Sequence, residues 1–345
     1  MKWTTRAYSD EEINAAGRML IARQSTPDDV IKAIGIVNNW RASHAFPLNT
    51  MQMRLRSKAR EVDRRNPSVG QRIKRLPAIE SKLRRLKNVT LADMQDIAGC
   101  RAVVGTKAQV AKLKKAYRSG RIRHELEREN DYIAAPTPDG YRSVHLVYRY
   151  YSDRNEQYDG QRIEIQIRSR LQHAWATAVE AIDTFANQQL KINQATPEWT
   201  RFFALAGSCM ARRERTPPVP GTPTNEEELK AELRELAHNL NVEERLLAIG
   251  ATAHYIGSQA DRAFYYLIDL DIANRWLSIT RFTKAQANEA AIRLAELELE
   301  YRGRRDRDVL LASVSSVKEL RQMYPNYRAD TRVFLQELRR ALRGT

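Results

Sequence analysis

Cysteine is nearly absent. Only Cys100 and Cys209 occur in 345 residues, far apart and with no CxxC pair or histidine beside them. That excludes a disulfide framework and a cysteine-based zinc site, and leaves both as small, buried side chains. Long apolar runs are missing too: no stretch reaches the roughly eighteen residues of a membrane span. Asp10, Glu11 and Glu12 close behind Met1 are the wrong charge order for a secretory signal. There is no internal repeat and no long low-complexity tract. The expectation is a soluble, cytoplasmic protein with no membrane contact and no structural zinc.

What the chain has in excess is positive charge. The formal net charge is +16, and +13 of it falls within residues 1–200. Such a surface attracts polyphosphates and nucleic acid alike, because both present dense negative charge, so charge alone does not choose between them. At 345 residues the chain exceeds the size at which a single core stops growing, and two domains are expected.

Periodicity supplies the organisation. Ile13, Ala16, Met19, Leu20, Ile31, Ile34 and Val37 recur at helical steps, with Pro27 behind Ser25 and Thr26 opening a second helix. The Arg-rich stretch Met51–Leu86 continues a helical pattern after a break at Asn66, Pro67 and Gly70. Then the period changes. Ile97–Val104, Tyr141–Tyr151 and Ile163–Ile167 are short, rich in β-branched or aromatic residues and bounded by turn formers, which predicts strands of one sheet. A helix is expected after Ser169. The segment TPPVPGTPT, Thr216–Thr224, reads as an extended linker or a loop over the first domain. Beyond it come a charged helix pair over Glu226–Leu247, two strands at Phe264–Asp271 and Trp276–Phe282, a helix over Lys284–Tyr301, and a strand at Val309–Val314. Two short helices are expected to flank Tyr324–Tyr327. The division is therefore 1–215, a linker with helices over 216–260, and 261–345.

The sharpest local pattern is IEIQIR, in which Ile163, Ile165 and Ile167 face one side of a strand and Glu164, Gln166 and Arg168 the other. An ordinary half-solvated strand has the same pattern. Asp96, at the head of another strand, brings a second carboxylate to the sheet, and carboxylates with substrate phosphates are the usual Mg²⁺ ligands. Arg72, Lys74 and Lys82 are read as one helix, with Lys74 and Lys82 two four-residue steps apart on one face; this is a triphosphate grip or a solvated basic face. The turn Pro138–Asp139–Gly140 delivers Tyr141, as a base-stacking ring or as a plain hairpin-end tyrosine.

Taken in order, RIKRLPAIESKL, MQDIAGCR, DYIAAPTPDGYRSVH and IEIQIRSRLQHAWATAVE resemble the synthetase domain of the RelA/SpoT family, which transfers the β,γ-pyrophosphate of ATP to a ribose 3′-hydroxyl. The resemblance implies an α+β, nucleotidyltransferase-like mixed sheet flanked by helices. It implies that Asp96 and Glu164 hold Mg²⁺, with Glu164 as base for the hydroxyl, and that Lys74 and Lys82 contact ATP phosphates with Arg72 near the adenine. It further implies that Tyr141 stacks on the acceptor base and His145 touches its phosphate or sugar, with Arg142, Gln166, Arg168, Gln172 and His173 as further acceptor-side candidates. Ala78 departs from the family, whose RxKxxxS pattern carries serine there, so one phosphate hydrogen bond is missing or replaced. The family's hydrolase needs a His-Asp metal motif; none of the six histidines precedes an aspartate, and no hydrolase is expected.

From KWTTRAYSDEEINAAG to VLLASVSSVKELRQMYPNYRADTRVFL the chain is also similar to CapRel-type fused toxin–antitoxins of phage defence. This second resemblance implies a small α/β pseudo-zinc-finger-like C-terminal domain with anchoring helices. It also implies pyrophosphorylation of the tRNA CCA end, and neutralisation by a YxxY motif, here Tyr324 and Tyr327, that a phage major capsid protein relieves. Two alternatives stand beside it: a (p)ppGpp alarmone synthetase acting on GDP or GTP, and an inactive binding module that retains the fold.

Overall fold

The computed structural model describes residues 3–343 except 66, 87, 120–121, 190–195, 251–253, 257–262, 275, 305, 315–319, 321–322 and 324–330. Tyr324 and Tyr327, and the helix pair expected around them, lie outside the described residues.

The N-terminal helices start where the sequence supplies caps. Helix α1 (Asp10–Ile21) and helix α2 (Pro27–Ser43) each begin with a reciprocal capping box, Ser9 with Glu12 and Thr26 with Asp29, and α2 has its proline in the first turn. Helix α3 (Ala45–Val62) follows directly. After it comes strand β1 (Ser68–Ile73), then helix α4 (Leu76–Arg85), strand β2 (Ala98–Val104), helix α5 (Lys107–Arg118), strands β3 (Glu125–Asp131), β4 (Val144–Arg149) and β5 (Arg162–Ser169), and helix α6 (Arg170–Gln189). Helices α7 (Pro197–Glu214), α8 (Glu226–Asn239) and α9 (Val242–Gly250) precede strands β6 (His254–Ile256), β7 (Tyr265–Asp271) and β8 (Trp276–Phe282), helix α10 (Ala287–Glu300), strand β9 (Arg307–Ser313) and helix α11 (Arg332–Arg343).

The strands form one mixed, nine-stranded sheet in the order β3-β4-β5-β2-β1-β9-β7-β8-β6. The β2–β5 and β6–β8 pairs are parallel and the remaining pairs antiparallel. The expected strands at 97–104, 163–167, 264–271, 276–282 and 309–314 are present within a residue or two. Two others correct the reading. Residues 68–73, taken as helical, pair with both β2 and β9, and the charged run 125–131 forms the edge strand β3. Its charges suit an edge, where they discourage further pairing. A bulge between Leu126 and Arg128 sends Glu127 to Arg149 and Arg162 on one face, and leaves Glu129 and Asp131 for Lys114 on the other.

One face of β1–β5 is dry. Ile163, Ile165, Ile167, Cys100, Ala102 and Leu146 pack under α3 and α5 with Leu55, Leu113 and Tyr117. Helices α1, α2 and α4 with Leu91, Met94 and Ile97 form a second cluster that braces the approach to β2. A third draws Val103, α6, α7, α8, α9, α11 and the inward residues of β7–β9 into a single core, so segments on both sides of positions 215 and 260 share apolar packing. The stretch 216–224 lies against α7: Val219 is buried, and its N–H donates to Ser208 Oγ at 2.8 Å.

The β1–β9 junction is reinforced by charge. Arg41 of α2 and Glu298 of α10 form a bidentate pair at 2.6 and 2.9 Å, with side chains 4% and 1% exposed. Breaking one side of such a buried pair leaves the other charge uncompensated, at a cost of about 3–5 kcal/mol. Arg75 pairs with Asp308, and Arg302 with Glu80 at 3.1 Å.

Candidate active site

The sheet face opposite α3 and α5 carries two polar clusters. The first forms where β1 gives way to α4. Arg72 stands in the ladder opposite Gly99 and Ala312, Lys74 follows the strand, and Lys82 lies on α4. They do not share one helix, as the sequence reading had it, because β1 is held on both edges and Pro77 opens α4 only afterwards. Convergence comes from Asp96 instead: Lys74 Nζ reaches Oδ2 at 2.7 Å and Lys82 Nζ reaches Oδ1 at 2.8 Å. Burial pushes the Asp96 carboxyl up, but the charges and hydrogen bonds of the two lysines outweigh it and hold it at about 2. Burial lowers Lys74, and Asp96 offsets part of that.

The second cluster is built on adjacent strands. Register sets Gln166 of β5 between His145 of β4 and Arg101 of β2, and Glu164 opposite Gly99. His145 Nδ1 donates to Glu164 Oε1 at 2.8 Å, and Gln166 Nε2 donates to Oε2 at 2.8 Å. On its other side His145 Nε2 lies 2.6 Å from the Tyr141 hydroxyl, which accepts from Arg168 at 2.7 Å. Arg101 and Arg168 both donate to Gln166 Oε1, at 3.1 and 3.3 Å. Burial raises Glu164, but the hydrogen bond and charge of His145 and the Gln166 amide bring it below the ordinary glutamate value. Burial lowers His145, yet Glu164 and Tyr141 raise it above its ordinary value. Tyr141 is raised by burial and lowered further by Arg168 and His145. The result is a phenol–imidazole–carboxylate chain ending on Glu164.

The clusters share one face, and Asp96 counts among the charges that raise Glu164. Gly99 lies between them; a Cβ there would stand 3.8 Å from Glu164 Oε2. Two ionised oxygen donors beside two lysines suit Mg²⁺, which binds through one or two carboxylates and substrate phosphates. Among the described residues no group of three or more His, Cys, Asp or Glu forms a closed metal cage.

The remaining candidates lie apart from this network. Arg142 is buried; burial pushes it down to about 10, with Glu214 of α7 offsetting part of that. Gln172 caps α6 through Ser169 and donates to Glu214 at 2.8 Å, and His173 is buried on the same helix. Sequence reasoning missed two members. Arg101 closes the MQDIAGCR block and alternates onto the polar face with Gln166, a signal visible once two strands are placed side by side. Tyr132 packs edge-on against Tyr141 and His145, with centroids 5.7 and 5.2 Å away, and only the fold reveals that contact.

Residues 71–189 match the family model described as a region found in RelA / SpoT proteins, and this part of the chain is a RelA/SpoT-type pyrophosphokinase domain. Solved structures similar to the chain include small alarmone synthetase 2 from Bacillus subtilis, at 23% identity over 62% of this chain and 97% of that one, with a TM-score of 0.41. They also include small alarmone synthetase 1 from the same organism bound to its product pppGpp, at 23% identity over 51% and 93%, TM-score 0.41. A GTP pyrophosphokinase family protein from Streptococcus pneumoniae is similar at 21% identity over 59% and 92%, TM-score 0.36. No curated protein matches the chain.

Proposed function

We propose that the domain transfers the β,γ-pyrophosphate of ATP to the 3′-hydroxyl of the tRNA CCA end, and that segment 261–345 holds it inactive until a phage major capsid protein engages that segment. The observation that carries the chemistry is the meeting, on one sheet face, of a phosphate grip (Lys74, Lys82, Asp96) and a base chain (Tyr141, His145, Glu164).

In this reading Glu164 takes the proton of the acceptor hydroxyl while its orientation is fixed by His145 and Gln166. The freed oxygen forms a bond to the β-phosphorus of ATP; the bond between that phosphorus and the α,β-bridging oxygen breaks, and AMP leaves with that oxygen. Lys74 and Lys82 offset charge around the phosphates, which is most of what phosphoryl-type transfer asks of a protein. Asp96 and Glu164 would hold Mg²⁺, which supplies Lewis-acid neutralisation of the phosphate oxygens. In the same reading Arg72 serves the adenine side and Tyr141 the acceptor base.

Two features support the finer parts. The concentration of net positive charge in residues 1–200 accommodates a large polyanionic acceptor. The C-terminal segment adjoins the ATP side: Arg72 pairs with Ala312 in the ladder, and Met323 lies within 3.2–3.3 Å of where a Cβ on Gly70 would stand.

The test incubates purified protein, with Tyr324 and Tyr327 replaced by alanine, with γ-labelled ATP, tRNA and guanosine nucleotides together. Label in tRNA, stronger than in the unsubstituted protein, is the expected result. Label confined to guanosine nucleotides would make the chain an alarmone synthetase. No label, and no loss of any effect on growth in Glu164→Gln, would leave a binding module.

A further inference from the structure

The ATP-side cluster is tied to the C-terminal segment through a buried relay. Glu298 of α10 accepts two hydrogen bonds from Arg41 and a third, at 2.9 Å, from the backbone N–H of Leu76, the first residue of α4. Arg41 in turn donates through Nε to the carbonyl oxygen of Lys74 at 2.9 Å, and through Nη1 to Asn38 at 2.7 Å. Lys74 Nζ then reaches Asp96. Arg41 and Glu298, the core of the relay, are both almost fully buried.

The placement has a mechanical consequence. Lys74 sits in the short connection between β1 and α4, a stretch with no ladder partner of its own beyond the bond from its N–H to the Ile97 carbonyl at 2.8 Å. Its side-chain direction depends on how its backbone is pinned, and the pin on the carbonyl side is Arg41. An arginine buried there needs a counter-charge, and the carboxylate comes from position 298, more than two hundred residues away in sequence. The same carboxylate also caps the N-terminus of α4, the helix that carries Lys82.

We propose that Glu298 is a positioning residue for ATP: acting through Arg41 and the first turn of α4, it sets the two lysines that converge on Asp96. The C-terminal segment therefore completes the ATP grip as well as standing beside it. This rests on the reading that Lys74, Lys82 and Asp96 form the ATP side.

The obvious variants, Glu298→Ala and Arg41→Ala, strand a buried charge and test folding as much as positioning. The informative protein is the paired variant Arg41→Met/Glu298→Leu, which strands no buried charge and removes the side-chain bonds to the Lys74 carbonyl, the Leu76 N–H and Asn38. Binding of a non-hydrolysable ATP analogue with Mg²⁺ is measured by calorimetry beside the thermal midpoint. Positioning predicts a cooperative unfolding transition still well above the assay temperature and analogue affinity weakened roughly tenfold, the scale of a misplaced binding group. In the active Tyr324→Ala/Tyr327→Ala background the same pair raises KM for ATP with little change in KM for the acceptor. Unchanged analogue affinity in that folded protein overturns the inference. Lys82→Ala serves as the control in the same assay: if it leaves affinity unaltered, the ATP-side reading itself is wrong, whereas weak binding by Lys82→Ala beside normal binding by the pair defeats only the role of Glu298.

Discussion

The two halves of the site are built on different principles. The cluster around Glu164, proposed for the acceptor, stands on neighbouring strands: Glu164, Gln166 and Arg168 alternate along β5, with His145 and Arg101 opposite Gln166, so sheet register alone brings these side chains together. The cluster around Asp96, proposed for ATP, has no shared element. Lys74 lies in a connection, Lys82 on α4 and Asp96 ahead of β2, and they meet because α1, α2 and α4 pack as one body and because α10 clamps the connection. A polar site on a sheet inherits its precision from the ladder, whereas one made of loops and helix ends needs packing from elsewhere to hold it.

The largest expected effect of testing this difference is chemical. On the proposed reading Glu164→Gln removes the base, and its amide nitrogen cannot accept as the second carboxylate oxygen does from His145 or Gln166, so kcat should fall by roughly a thousandfold or more with a smaller effect on KM for ATP; steady-state kinetics against both substrates measure the split. Lys82→Ala should act on the other half, raising KM for ATP about tenfold, or ~1.4 kcal/mol, with a smaller effect on kcat. Equal losses in kcat and KM for both variants would erase the distinction between the halves.

Gly99→Ala tests the space between them. Its Cβ would make only ordinary contacts, 3.5 Å to the Glu164 carbonyl oxygen and 3.8 Å to Oε2, so the thermal midpoint should hold while the room beside the carboxylate shrinks and activity falls severalfold. A large loss of stability would show that the two clusters are packed more tightly than the contacts indicate.

The last effect falls on stability alone and concerns the helical body that packs beside Lys82. His44, at the α2–α3 junction, is fully buried and donates from Nδ1 to the Trp40 carbonyl at 2.8 Å; burial pushes its pKa from 6.5 down to about 4. Below 6.5 the unfolded chain takes up the proton first, so this histidine's contribution to stability is full above that pH and is lost as pH falls towards 4. The loss amounts to about 3 kcal/mol. Urea titrations at pH 7 and pH 4.5 should differ less in His44→Asn than in the unsubstituted protein.

The same contrast explains what could be read in advance. Period-two alternation exposed IEIQIR, and apolar spacing with Pro27 exposed α1 and α2, because those signals are local. Strand β1 was hidden: SVGQRI is six residues beside an Arg-rich helix, and what makes it a strand is pairing with β2 on one edge and β9 on the other. Strand β3 was hidden by its charges, whose partners Lys114, Arg149 and Arg162 come from three other elements. Placing Arg72, Lys74 and Lys82 on one helix was a reasonable extension of the spacing that failed at the β1–α4 junction.

By itself the sequence determined which residue types were present in which order: two carboxylates, a basic run, a tyrosine after a turn, and four blocks in the order found in RelA/SpoT synthetases. Only the tertiary structure decided that Asp96 is gripped by two lysines, that Glu164 ends a chain from Arg168 through Tyr141 and His145, and that Glu298 reaches back to Arg41. The physical reason is range. Capping, alternation and turn chemistry act over a few residues and are written into neighbours, whereas a buried charge is satisfied by whichever oppositely charged group the fold delivers, at any distance along the chain.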